Sequence, residues 1–377
     1  MKIRISPQAL TDELFKLQGV VSQRSTLAIL SNALLEAKDG RLTLHATDLD
    51  TSISTSCECE VLEEGSVTLE AKNLFDIVKN LDDDVLNLET EDNYWANLNS
   101  GNVVCRIAGT HPDDFPQILD TTDVEMYPIG VDTLLNMVDK TLFSVSTDDA
   151  RANLTGAFFR VTADNTLLMV STDGHRLSKI ETDPQDFSAG DNTHQTLRDG
   201  IIIPRKGLHE LKRIVDSKSS SGAELRFGLV DNSIVFQSGP MTMSVMLIEG
   251  TFPDFTQVLP KEGDNKSFVK KDLFLQALKF VSLFASPKTH NLRLSLSEEG
   301  LELYASDPDR GEGRKTIPAE YSGQPVKAGY NFRYLIDVLG VLDGDQVSLE
   351  IIDTLSPTLM RDPNSDEALF VVMPMRL

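Results

Sequence analysis

The chain has 377 residues, and its 58 acidic against 35 basic side chains give a net charge of −23, which excludes binding of nucleic acid by an overall basic surface. Its 40% hydrophobic and 25% charged residues describe a globular chain, and no apolar run is long enough to cross a bilayer. MKIRISPQAL lacks the apolar core of a signal peptide, and Cys57, Cys59 and Cys105 form no even disulfide set, so a reducing cytoplasm is the expected compartment.

Taken in chain order, the predicted elements repeat. A helix is expected over Pro7–Val20, with Ser6 as N-cap and Pro7 at the first helical position. The strand LTLHATD (Leu42–Asp48) follows, then an amphipathic helix over Asn73–Leu81, and DDFPQIL (Asp113–Leu119) closes the first third. The second third reads the same way: a helix over Val131–Leu142, the strand LLMVSTD (Leu167–Asp173), a helix over Gly207–Val215, and FPDFTQVL (Phe252–Leu259). The last third offers a helix over Asp272–Phe284, the strand LELYASD (Leu301–Asp307) and a helix over Asn331–Leu339. Each strand runs apolar and ends on a small residue, a hydroxyl residue and Asp, which delivers it into a turn. A period of about 125 residues means tandem copies of one domain. Boundaries are expected near 1–124, 125–251 and 252–377, and each third resembles two copies of a helix-plus-strands unit. The fold class is α+β, with three repeats of helices and antiparallel sheet.

Charge is distributed unevenly. Lys72, Lys79, Arg205, Lys206, Lys212, Arg213, Lys270, Lys271, Lys279 and Arg333 lie in or beside the repeated helices, whereas acids crowd loops such as Asp82–Asp84. A locally positive face on an acidic body would confine DNA to that face. Solvated helix faces would give the same pattern.

Catalytic chemistry is hard to find. There is no Gly-rich phosphate loop ending in Lys-Ser/Thr, and the GEG at Gly311–Gly313 is too short to be one. Cys57 and Cys59 suit two metal ligands, but no second pair follows, so no metal or cofactor is expected. Asp173, Gly174, His175 and Arg176 read either as an acid–base pair with an anion clamp or, more often for such a string, as a sharp Asp-Gly turn.

STDGHRLSKI (Ser171–Ile180), IIIPRKGLHELKR (Ile201–Arg213), FPDFTQVLP (252–260), FVVMPMRL (370–377) and RSTLAILSNALLEAKDGRLTLHATDLD (24–50) together resemble one family over the whole length, the bacterial replicative sliding clamp, the beta subunit of DNA polymerase III. The resemblance implies a non-catalytic clamp fold, closed as a head-to-tail homodimeric ring with helices inside and sheets outside. Such a ring encircles duplex DNA without reading its sequence and tethers the polymerase, the clamp loader and other partners. It also implies a pocket for a short partner peptide with a Gln and Leu/Phe anchors, carried over to Leu154, Thr172, Gly174, His175, Arg176, Leu177, Pro253, Val258, Asn331, Tyr334, Val371, Met373, Pro374 and Met375. Arg24, Lys72, Lys79, Arg205 and Lys206 match DNA-facing positions, and Cys105, Ile107, Leu283 and Phe284 match the dimer seam. The chain departs from the family at Asp148, Ala152 and Asn153, where relatives carry aromatic and amide residues toward DNA, and across the seam, where Asn102 and Val104 face Asp309, Glu312, Arg310, Arg314 and Lys315. Ring closure is therefore expected to lean on apolar contact. A second reading, an acidic protein-binding scaffold that never encircles DNA, would share the charge and the pocket.

Overall fold

The computed structural model describes residues 1–21, 26–183, 187, 194–215, 224–259 and 266–376. Pairings among the described strands are antiparallel, in four sheets. Seven α-helices occur among the described residues: α1 (Pro7–Leu17), α2 (Ala71–Lys79), α3 (Val131–Thr141), the short α4 (Gln195–Asp199), α5 (Arg205–Val215), α6 (Lys271–Val281) and α7 (Phe332–Val341). All but α4 stand where the repeat places them. The expected C-terminal extensions of α3 and α6 are 3-10 turns, Leu142–Ser144 and Ser282–Phe284, which tighten the last carbonyls of each helix. Ser6 sits at the N-cap of α1 but its side chain makes no capping bond, and its carbonyl accepts from Leu10 N at 3.1 Å instead.

The chain gathers into two units. The first contains the described parts of 1–131 and 206–247 together with Phe187; the second contains the other described residues of 132–205 and the described parts of 248–376. In the first, a nine-stranded sheet runs in the order Gly109–Thr110, Gly65–Glu70, Asn32–Lys38, Arg41–Thr47, Thr51–Glu58, Met241–Met246, Ser233–Ser238, Leu225–Val230, Met126–Ile129. Its five-stranded companion runs Glu60–Glu63, Lys2–Ile5, Leu86–Thr90, Ala96–Ser100, Val103–Ile107. In the second, nine strands run Ile201–Pro204, Gly156–Val161, Leu167–Thr172, Arg176–Thr182, Ala368–Val372, Thr358–Arg361, Gln346–Glu350, Lys266–Lys270, Ala319–Glu320. Four more run Gly311–Ile317, Gly300–Asp307, Asn291–Ser297, Val326–Asn331. Both nine-stranded sheets are therefore made the same way, by pairing the strand after the Asp turn with the last strand of the following repeat: Ser52 opposite Ser244, and Leu177 opposite Val371.

Helices hold one apolar stripe against each sheet. Leu10, Leu14 and Leu17 of α1 are wholly buried, as are Phe274, Ala277, Leu278 and Val281 of α6. Burying each leucine favours the fold by about 2 kcal/mol. Gly207 in α5 has a packing reason: a Cβ there would stand 2.4 Å from Val245 Cγ1, so only glycine lets the helix lie this close to the sheet. Gly207→Ala should cost about 2 kcal/mol, read as a lowered urea midpoint of the unit that contains it.

The repeated Asp has the same local job in each repeat. Asp48 Oδ1 accepts from Asp50 N and Thr51 N, Asp173 Oδ1 from His175 N and Arg176 N, and Asp307 Oδ1 from Asp309 N. In each repeat a carboxylate satisfies the backbone donors of the turn that leaves the strand.

A candidate partner-peptide pocket and its surroundings

The hairpin joining Leu167–Thr172 to Arg176–Thr182 forms one wall of a cavity of about 180 Å³. Thr172 Oγ1 donates to Arg176 O at 2.6 Å and accepts from Gly174 N at 3.0 Å, which fixes the corner. Gly174 has φ +87°, a left-handed backbone that glycine adopts without strain, and the tip of the Arg151 side chain lies over it. Leu154, at the end of a 3-10 turn, and Leu177 and Val371, on adjacent strands, belong to the buried cluster under the cavity, together with Leu168, Val170, Ile202, Phe252 and Leu359. Opposite, Asp254 starts a 3-10 turn by accepting from Thr256 N at 3.1 Å, and that turn brings Phe255 and Val258 to the cavity beside Pro253. Met373 completes the lining, held by its backbone N donating to His175 O at 2.8 Å.

Arg176 ties this pocket to α7. Its Nε donates to Asp173 Oδ2 at 3.0 Å, Nη1 to Asp337 Oδ2 at 2.5 Å and Nη2 to the Phe143 carbonyl. The guanidinium also lies over the rings of Tyr334, 4.4 Å to the centroid, and Phe143, 5.3 Å. Burial, with the Asp173 carboxylate adding to it, pushes the Tyr334 phenol above its ordinary range, so this ring stays neutral beneath the charge it supports.

Of the expected pocket residues, Leu154, Thr172, Gly174, Arg176, Leu177, Pro253, Val258, Val371 and Met373 line one cavity. His175 is exposed at the turn, and Asn331 caps α7 by accepting from Arg333 N. Tyr334 braces Arg176. Pro374 and Met375 are half-buried beyond the strand, with Met375 N donating to Gly329 O at 2.8 Å. Asp254 and Phe255 also line the cavity, and sequence reasoning missed them as lining residues although FPDFTQVL contains both.

The Asp173–His175 string is a turn. Both Asp173 oxygens are occupied, one by two backbone N–H groups and one by Arg176, leaving no carboxylate free to work with His175. Among the described residues no cluster of three or more metal-ligand side chains forms. Burial, then Glu13, pushes the Cys57 thiol up to about 12, and burial also raises Cys59 and Cys105. Iodoacetamide at neutral to mildly alkaline pH should therefore leave Cys57 unmodified in the native protein and alkylate it in denaturant, as read by mass spectrometry.

The expected DNA-facing positions fare differently. Arg24 lies outside the described residues. Lys72 and Lys79 are exposed on α2, two turns apart and hence on one face. Arg205 is exposed at the start of α5; Lys206 is exposed too, but its ammonium is bonded to Asp48. Arg213, one of the basic helix residues, is committed to structure: it donates to the Phe15 and Lys16 carbonyls at the end of α1 and to Glu210. The departures at 148–153 have local work. Asp148 caps a 3-10 turn and pairs with Arg151, and Asn153 Nδ2 donates to Thr251 O.

The seam positions lie on one sheet edge, Cys105 and Ile107, and on the 3-10 turn beside another, Leu283 and Phe284. Val103–Ile107 ends the five-stranded sheet and Gly311–Ile317 ends the four-stranded one. Cys105 is half-exposed on the first edge, whereas Ile107 is only 8% exposed; the exposed apolar side chains of this edge are Val104, 78%, and Val103, 38%. Leu283 is 64% exposed, and Phe284 lies against Gly313 of the other edge.

Family models cover nearly the whole chain. The DNA polymerase III beta subunit N-terminal domain matches residues 1–120, its central domain 128–254 and its C-terminal domain 256–376. A relative named beta sliding clamp, from Pseudomonas aeruginosa, is 32% identical over 379 residues, with all of both chains covered. The crystal structure of the DNA polymerase III subunit beta from the same organism superposes with a TM-score of 0.92 at 31% identity over the full length of both chains. The DNA polymerase sliding clamp from Bacillus subtilis gives 0.93 at 25% identity, covering 100% of this chain and 99% of its own.

Proposed function

Because the chain belongs to the DNA polymerase III beta subunit family, the sliding clamps of DNA replication, we propose that two copies close head to tail around duplex DNA and that the Leu177–Met373 cavity receives the anchor side chains of a partner's short peptide. Members of this family are processivity factors and not enzymes. Three clamp domains near 1–124, 125–251 and 252–377 supply the ring's repeating unit.

Strand pairing supports closure. The strand after the first Asp turn pairs with the last strand of the second repeat, and the strand after the second turn with the last strand of the third. The strand after the third turn, Gly311–Ile317, ends its sheet, and so does Val103–Ile107, near the close of the first repeat. Continuing the pattern requires these edges to meet across two chains, which removes both from solvent. Some of the charges near them have partners within the chain: Arg106 pairs with Glu91, Tyr304 donates to Glu312, and Arg314 reaches Glu302. Val103, Val104, Leu283 and Phe284 then supply the apolar part of the attraction between chains.

A closed ring holds DNA by topology. Sparse phosphate contacts, from Lys72, Lys79 and Arg205 among the described residues and from Arg24, leave it free to slide because they recognise no base. Holding a polymerase on that ring replaces repeated capture with a high effective concentration. The work belongs beside the chromosome, in the cytoplasm of a bacterium.

The observation that carries the peptide reading is the apolar floor of Leu177 and Val371 beneath a half-buried Met373. Met adapts its shape to varied anchors, and Thr172 and Arg176 fix polar register. Val258 is 42% exposed, so Val258→Asp should fold normally yet weaken a labelled peptide carrying Gln and Leu-Phe anchors by about tenfold or more in fluorescence anisotropy. Unchanged affinity would refute the assignment.

A further inference from the structure

The first unit contains the same scaffold a second time, with a different lining. A cavity of about 520 Å³ lies beside the Asp48 turn. Met246 N donates to Asp50 O at 2.8 Å, just as Met373 N donates to His175 O at 2.8 Å in the second unit. Ser52 stands opposite Ser244 where Leu177 stands opposite Val371. Ile118 of DFPQIL lines this cavity as Val258 of DFTQVL lines the other.

At matching positions the chemistry has changed. Hydroxyl groups replace the apolar pair on the floor, and Thr51 stands where Arg176 would be. Asp50, Asp120 and Asp231 line the cavity and are all exposed, while no Lys or Arg lines it. Leu49 takes the place of Gly174 and keeps its left-handed backbone, φ +82° against +87°. For leucine that conformation is unfavourable, and the residue is 51% exposed. Met246, 46% exposed, lines the same cavity.

We propose that this groove is a second docking site, for an extended segment of a partner protein that sets a large apolar side chain against Leu49 and Met246 and places lysine or arginine beside Asp50, Asp120 and Asp231. The inference rests on reading the equivalent cavity of the second unit as a peptide pocket. Charge complementarity names the occupant: a basic segment gains attraction here that the apolar anchors of the other pocket do not need. With two pockets of different taste, one clamp chain holds two partners at once.

The test uses the full chain labelled at Met and Ile methyls and titrated with three short capped peptides, one carrying Lys-Leu-Lys, one Glu-Leu-Glu and one Gln with Leu-Phe. The Lys-Leu-Lys peptide is expected to shift the Met246 and Ile118 signals and the Glu-Leu-Glu peptide to leave them in place. Asp50→Lys with Asp120→Lys should weaken the first peptide roughly tenfold. Leu49→Gly relieves the backbone, so it should keep or raise the melting temperature while weakening the same peptide, a pair of effects that a structural role for Leu49 would not give. Equal response to the acidic peptide, or no response at Met246 and Ile118, overturns the second site. If the Gln and Leu-Phe peptide still shifts Met373 in that case, the first pocket stands alone; if it does not, the reading of both cavities falls.

Discussion

Replacing Arg176 with alanine is expected to destabilise the second unit by about 3 kcal/mol, because removing one partner leaves a carboxylate in a half-buried site without its counter-charge. The Arg176 side chain is 12% exposed and Asp173 17%, and this pair carries most of the effect; Asp337, 40% exposed, is screened by water and contributes less. The Phe143 carbonyl loses a donor, and Tyr334 loses the cation over its ring. The midpoint of urea unfolding for this unit should fall, and the affinity of a Leu-Phe peptide should fall with it, since Arg176 also lines the cavity. Arg176→Lys should recover part of the stability and little of the peptide affinity, because an ammonium cannot reach three acceptors in one plane. Unfolding unchanged in the alanine variant would mean that the network does not hold α7 to the pocket.

If two copies close into a ring as proposed, Phe284→Asp should leave only monomers at micromolar concentration in a mass measurement, where the unaltered chain gives dimers. Phe284 packs on Gly313 of the Gly311–Ile317 edge and meets Phe280 at 5.9 Å between centroids, so a carboxylate there would be desolvated against the apolar surface proposed to close the ring. Leu283, 64% exposed, allows a second variant with little cost to the fold: Leu283→Asp should also weaken the dimer while leaving the melting temperature of the monomer in place. A persistent dimer in both would place the seam elsewhere.

The sequence shows most of the scaffold because its signals are local. The three Asp-terminated strands and the six main helices follow from periodicity and turn chemistry, and the Asp turns then prove to bind their own backbone. What stayed hidden depends on distant partners. Arg213 reads as a solvated helix cation until α1 ends beside it and offers the carbonyls of Phe15 and Lys16. The ion pair of Lys206 with Asp48 could not be read from residues so far apart in sequence. Ile107 matches a seam position in sequence but is buried, because strand alternation turns it away from Val104. Asp254 and Phe255 were legible as a closing phrase and not as cavity wall, since only the 3-10 turn at Phe255–Val258 aims them.

Encirclement is tested most directly by loading the protein onto nicked circular DNA with the clamp loader of its own host, washing in high salt and then cutting the circle. Salt screens phosphate contacts but cannot open a ring. Retention through the wash and loss on linearisation are expected. Release by salt from circles and linear DNA alike, with a loader shown to be active, would contradict encirclement and leave an acidic scaffold that binds partners without enclosing DNA.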